Sequence, residues 1–212
     1  LDYFKKSLKL DLSFFGENHP SVASGYYNIG YVYFAQGDYS KALEYFEEVL
    51  KIRLSVYGEN HSRVASVYND IGEIYSVQGD DFKALDYFKK SLKIVLSVYG
   101  ENHSQVSSIY DHIGEIYFAQ KDYSKALYYF EESLKIRLSL FGENHPEVAL
   151  SYYSIGSLYI IQGDKSKALN YYEKSLKIRL SVYGENHPLT KEIMDLINVA
   201  NSKVLQSPET TK

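Results

Sequence analysis

The tetrapeptide Gly-Glu-Asn-His returns five times, starting at Gly16, Gly58, Gly100, Gly142 and Gly184, each 42 residues after the one before. A second marker keeps the same period: Gln36-Gly37-Asp38, Gln78-Gly79-Asp80, Gln120-Lys121-Asp122 and Gln162-Gly163-Asp164. Five copies in perfect register are not chance. Each repeat therefore holds two breakers about 20 residues apart, which implies two helices per repeat. One hairpin cannot bury its own apolar face, so the hairpins must stack into a quasi-one-dimensional array.

The helical reading rests on spacing. Between Lys41 and Tyr57 the apolar residues Ala42, Phe46, Val49, Leu50 and Tyr57 recur at three- and four-residue steps. Lys41, Glu44, Glu47, Glu48 and Lys51 fill the other side, and Lys51 and Arg53 suit the negative end of the helix dipole. Gly58 is expected to stop the helix in the left-handed conformation. His19-Pro20 opens the next helix with proline in its first turn, and Ser62 and Ser104 replace that proline as expected caps. Lys121 stands where the other turns have glycine, at a cost of roughly 1 kcal/mol if the position is left-handed.

These signals predict an all-α chain: a right-handed α-solenoid, or superhelix, of two-helix hairpins with a C-terminal capping helix. Residues 1–205 form a single solenoid in this reading. Residues 1–15 are the second helix of a truncated repeat, residues 16–57, 58–99, 100–141 and 142–183 are full repeats, and 184–205 are the capping helix. The hairpins pair Pro20–Gln36 with Tyr39–Tyr57, Ser62–Gln78 with Asp81–Tyr99, Ser104–Gln120 with Tyr123–Phe141, and Pro146–Gln162 with Lys165–Tyr183. Residues 206–212 read as a frayed tail. Leu1 aligns with Leu43, so the chain as given is expected to be part of a longer array. Asn198 and Asn201 stand where the repeats carry glycine and tyrosine, as in a polar cap.

Composition excludes several function classes. A net charge of -4 argues against nucleic-acid binding by bulk charge. With no cysteine there is no disulfide framework and no thiolate metal site; a reducing compartment fits, and the cytoplasm is the expected location. No apolar run reaches the ~18 residues of a membrane span. No phosphate-binding glycine loop and no set of nucleophile, base and orienting group appears, so no enzyme activity, cofactor or metal is expected. The junction histidines lie one per repeat, too dispersed for a metal. The 23 tyrosines recur mainly at core spacing.

The first unit carries Tyr26, Ile29, Gly30, Tyr33, Gly37, Tyr39, Ala42, Phe46 and Leu50. This spacing resembles the tetratricopeptide repeat, whose small residues at the Gly30 and Ala42 positions let the two helices approach closely. The family's usual period is about 34 residues, so both helices here are longer by about a turn. Gly16-Glu17-Asn18-His19-Pro20-Ser21-Val22-Ala23, and likewise Gly142 to Ala149, resembles the junction of the kinesin light chain subclass. The resemblance implies a concave groove, lined by the first helix of each unit, that holds extended or helical peptides.

On that footing the groove row is Tyr27, Asn69, Asp111 and Tyr153. One turn later come Tyr31, Glu73, Glu115 and Ser157. A flanking row is Asn28, Asp70, His112 and Ser154, and near the helix ends lie Phe34, Ser76, Phe118 and Ile160. These positions differ between units, whereas Gly30, Tyr33, Ala42 and Phe46 and their counterparts barely change. The first helices carry Asp70, Glu73, Asp111, Glu115 and Glu147 against Arg63 alone, while the remaining bases, on the second helices, are assigned to the convex side. The expected function is a protein-interaction scaffold or adaptor that binds a partner's peptide in an acidic groove. The partner is a segment with Lys or Arg at its centre and apolar or aromatic ends. Neither nucleic acid nor a membrane is expected as partner. The alternative is a structural array, with end-to-end self-association. The Lys and Arg that clamp a terminal carboxylate in some tetratricopeptide domains are missing. The paired first-helix Asn of the subclass survives only as Asn69 and Asn28.

Overall fold

The computed structural model describes residues 1–202; the expected tail and the last residues of the expected capping helix lie outside the described residues. Every regular element among the described residues is a helix, and no helix there is long and apolar enough to cross a membrane. The helices are α1 (Asp2–Phe15), α2 (Pro20–Ala35), α3 (Tyr39–Tyr57), α4 (Ser62–Val77), α5 (Asp81–Tyr99), α6 (Ser104–Ala119), α7 (Tyr123–Phe141), α8 (Pro146–Ile161), α9 (Lys165–Tyr183) and α10 (Pro188–Ser202). They form two compact units, one from Leu1 to Glu101 and one beginning at Asn102. In each unit the helices pack on their chain neighbours, most closely within the hairpins.

The hairpins close where a ring meets a glycine. A Cβ built on Gly72 would lie 2.9 Å from the Phe88 ring, and one on Gly114 would lie 2.7 Å from the Phe130 ring. At Gly156 the ring is that of Tyr172, and at Gly30 it is Phe46 at 3.0 Å. A Cβ at Gly72, Gly114 or Gly156 would force the ring or the helices to shift. Around this contact Val22, Ile29, Ala42, Phe46, Val49, Ile71 and Ile74 are buried in the first unit. In the second unit Ala126, Phe130, Val148, Ile155, Leu158 and Ala168 are buried.

The junctions differ from expectation in two respects. The helix stops at Gly58 with φ 78° and ψ 172°. That is extended backbone of positive φ, which essentially only glycine adopts, rather than the left-handed helical conformation. The residue that caps the next helix is the histidine rather than the serine. The Nδ1 atoms of His61 and His103 accept the backbone N–H of Arg63 and Gln105 at 3.1 and 3.2 Å. His19, His145 and His187 do the same. An aromatic residue four positions earlier stacks on the capping ring, with centroids 4.6 Å apart for Tyr57 and His61 and 4.4 Å for Phe141 and His145. At the other turn Asp38, Asp80, Asp122 and Asp164 cap their helices. Lys121 has φ 63°, the single non-glycine of positive φ among the described residues.

Candidate functional site

The rows of variable first-helix residues are organised by arginines from the second helices. Arg53, Arg137 and Arg179 occupy one repeat position, and Val95 fills it in the second repeat. This corrects the expectation that the bases of the second helices belong to the convex side. These arginines are inserted beside the first helices, and Arg137 and Arg179 are only 4% exposed.

In the first unit the Arg53 guanidinium lies over the Tyr27 ring, 5.3 Å from its centroid. Its Nη1 donates to the Arg63 carbonyl at 2.7 Å and to the Ser66 hydroxyl at 2.9 Å. Arg53 thus ties α2 to α4. The Tyr27 hydroxyl donates to the Asp70 carboxylate. Burial pushes Asp70 up to about 7, helped by the charge of Glu73 and opposed by Tyr27 and Arg53. Burial and the Asp70 charge push Tyr27 up to about 12. The Asn69 amide donates to Glu73 Oε1 at 2.7 Å. Asn69 Oδ1 and Asp70 Oδ2 are buried with no hydrogen-bond partner. Asn28 is exposed, and Tyr31 is 57% exposed. Phe34 is packed at the edge of the core against Tyr39.

In the second unit Arg137 Nη1 pairs with Asp111 Oδ2 at 2.7 Å, and its Nη2 pairs with Glu147 Oε2 at 2.9 Å. It also donates to the Ser151 hydroxyl at 2.8 Å, so α6 and α8 are joined through α7. Burial lifts Asp111 to about 6 against the pull of Arg137. Arg179 lies over the Tyr153 ring at 5.0 Å, donates to the Leu189 carbonyl at 2.6 Å and faces Glu192 at 3.6 Å. The Tyr153 hydroxyl donates to Glu192 at 3.0 Å. Ser157 accepts from the Tyr172 hydroxyl at 3.2 Å. His112 Nδ1 lies 3.9 Å from Glu115, whose side chain is 68% exposed. Phe118 packs edge-on against Tyr123.

Of the five acids expected to give the first helices their sign, Asp111 and Glu147 share the one positive charge of Arg137, and burial disfavours the charged form of Asp70. Glu115 and Glu147 have exposed side chains, at 68% and 47%, and Glu73 is half-buried beside Asn69. Tyr27 and Tyr153, placed in the groove row by the sequence, are half-buried beneath arginines. Val95 is 1% exposed, and the row residue of its own repeat is the neutral Asn69. The partners covary inside one chain: Arg53 and Arg179 with tyrosine, Arg137 with aspartate, Val95 with asparagine. Among the described residues no group of three or more His, Asp or Glu could hold a metal ion.

The tetratricopeptide repeat family model matches residues 1–55, 24–94, 63–139 and 105–181. None of the curated proteins compared matches the chain in sequence. Among solved structures it resembles BtubC (BKLC) from P. vanneervenii, with a TM-score of 0.76 and 18% identity over 100% of this chain and 93% of that one. It also resembles the nearly identical TPR-like repeats assigned to a kinesin light chain of Podosopora anserina, with a TM-score of 0.68 and 16% identity over 89% and 99% of the two chains. The apo form of RapI gives a TM-score of 0.73 and 18% identity over 86% of this chain and 64% of that one. The chain belongs to the tetratricopeptide repeat family, and its fold neighbours include kinesin light chain-like repeat proteins.

Two outcomes test the arginine clasps. Arg137→Met strands the Asp111 charge and is expected to cost about 3–5 kcal/mol in urea denaturation. Adding Asp111→Asn, which copies the neutral partner of Val95, should restore most of that loss. Asp70 has a folded-state pKa above its unfolded value, so its contribution favours folding most at low pH and is lost as pH rises toward about 7. Asp70→Asn should therefore leave stability unchanged near pH 4 and raise it at pH 8, on the order of 2–4 kcal/mol.

Proposed function

We propose that the protein is an interaction scaffold whose first-helix rows hold a peptide segment of a partner protein, in the groove that the family architecture implies. The carrying observation is on α4. Asn69 and Asp70 present buried acceptor oxygens that the protein leaves unpaired, beside Glu73. An unpaired buried acceptor costs about 1–3 kcal/mol, which a donor-rich ligand would recover by drawing these side chains outward. Peptide N–H groups and Lys or Arg side chains are such donors, and Tyr31 offers an exposed aromatic surface nearby in the row sequence. The reading favours a basic segment with apolar or aromatic ends. Its electrostatic part rests on Glu73 and Glu115 rather than on the five acids of the sequence.

A structural, self-associating role is the second reading, favoured by α1. Tyr3, Leu10 and Phe14 are 80%, 59% and 78% exposed, whereas Ile52, the counterpart of Leu10, is 3% exposed. The α10 helix of another copy fits that face poorly. Asn198 replaces the glycine of Gly156, where a Cβ would already meet the Tyr172 ring at 2.7 Å.

A fluorescence-polarisation titration with an aromatic-flanked basic peptide and its charge-reversed counterpart tests the proposal. The basic peptide should bind in a salt-dependent way, and Glu73→Lys combined with Glu115→Lys should weaken it about tenfold or more. Equal binding of the acidic peptide, with no effect of the double substitution, would overturn the reading.

A further inference from the structure

In every repeat one tyrosine of the first helix and one of the second form a tilted pair. The centroid distances are 6.0 Å for Tyr26 and Tyr45, 6.0 Å for Tyr68 and Tyr87, 5.6 Å for Tyr110 and Tyr129, and 6.0 Å for Tyr152 and Tyr171. What lies over the pair depends on the residue three positions after the second tyrosine. It is Glu48, Lys90, Glu132 and Lys174 in the four repeats.

Two repeats show how the cleft is filled. Lys90 Nζ lies 4.9 Å from the Tyr87 centroid and 6.0 Å from that of Tyr68, and Asp86 holds it at 2.7 Å. Lys174 Nζ lies 5.3 Å from Tyr171 and 5.5 Å from Tyr152. An ammonium over two ring faces, in one case fixed by a carboxylate, is the occupant that the chain itself supplies.

The first repeat keeps the walls and lacks that cation. Tyr26, Tyr45, Glu44 and Glu48 line a cleft of about 240 Å³. Glu44 stands at the position of Asp86, and Glu48 replaces the lysine. Glu48 meets Lys51 at 3.7 Å on an exposed edge, where Lys51 is 73% exposed. The third repeat is a control within the molecule, because Tyr128 replaces the first acid and packs against Tyr129 with centroids 5.2 Å apart.

We infer that the Tyr26–Tyr45 cleft, with Glu44 and Glu48 at its rim, is a receptor for a lysine side chain of a partner protein. The ammonium would sit as Lys90 sits, with Glu44 in the role of Asp86 and Glu48 adding a second negative charge. The site shares no residue with the peptide-binding proposal, and either can fail alone.

The test is an NMR titration of the tyrosine ring signals with N-acetyl-lysine methylamide. Saturable shifts are expected at Tyr26 and Tyr45 and none at Tyr68, Tyr87 or Tyr152, whose rings already carry a lysine of the chain. The uncharged norleucine analogue should give none. Glu48→Lys places the residue of the second and fourth repeats in the first, so it should fold, fill the cleft and abolish the response. Glu44→Gln should weaken binding about fivefold. No response at Tyr26 and Tyr45, or the same response in Glu48→Lys, would overturn the inference.

Discussion

The contact between a glycine Cα and an aromatic ring sets the distance between the two helices of every hairpin. With a Cβ-to-ring distance of 2.7 Å at Gly114 and Gly156, there is no room for a side chain. Once the helices lie that close, the apolar stripes around Ala42, Phe46 and Val49 and their counterparts close over one another. The capping residues at each junction then have only to aim the next helix. Histidine suits the task because Nδ1 accepts the orphan N–H while the ring stacks on the aromatic residue that ends the previous helix.

On this scaffold the arginine position is a second level of organisation. Arg53, Arg137 and Arg179 each bridge two first helices across the second helix that carries them. Their partners are chosen repeat by repeat, as ring faces, carboxylates and backbone carbonyls. The clasps pair charge that the sequence alone reads as outward-facing. Tyr31 on α2 and Glu115 on α6 stay exposed beside these clasps.

Much of the fold was legible because the repeats are nearly identical. The breakers at Gly37 and Gly58 located the helices to within a residue or two, and the tolerance of Lys121 for positive φ followed from its alignment with glycine. The site was legible only in part. Arg53 reads as a surface charge beside Lys51, yet it follows Phe46 by seven residues and Val49 by four, on the buried stripe. That spacing was the available signal, together with the return of arginine at 137 and 179. The state of Asp70 was not readable, because it depends on Tyr27 and Arg53 from other helices. The histidine caps were hidden by the proline or serine that follows, the more familiar opening residues of a helix.

The division between repeated positions that build and changing positions outside the arginine clasps, which bear little on stability, is open to one direct comparison. Thermal unfolding would be followed for Gly114→Ala and for a chain carrying Asn28→Ala, Tyr31→Ala and Glu73→Ala together. The single glycine substitution is expected to destabilise the fold, on the order of 1–3 kcal/mol, while the triple variant melts within about 2 °C of the parent. A triple variant that unfolds well below the glycine variant would contradict the division.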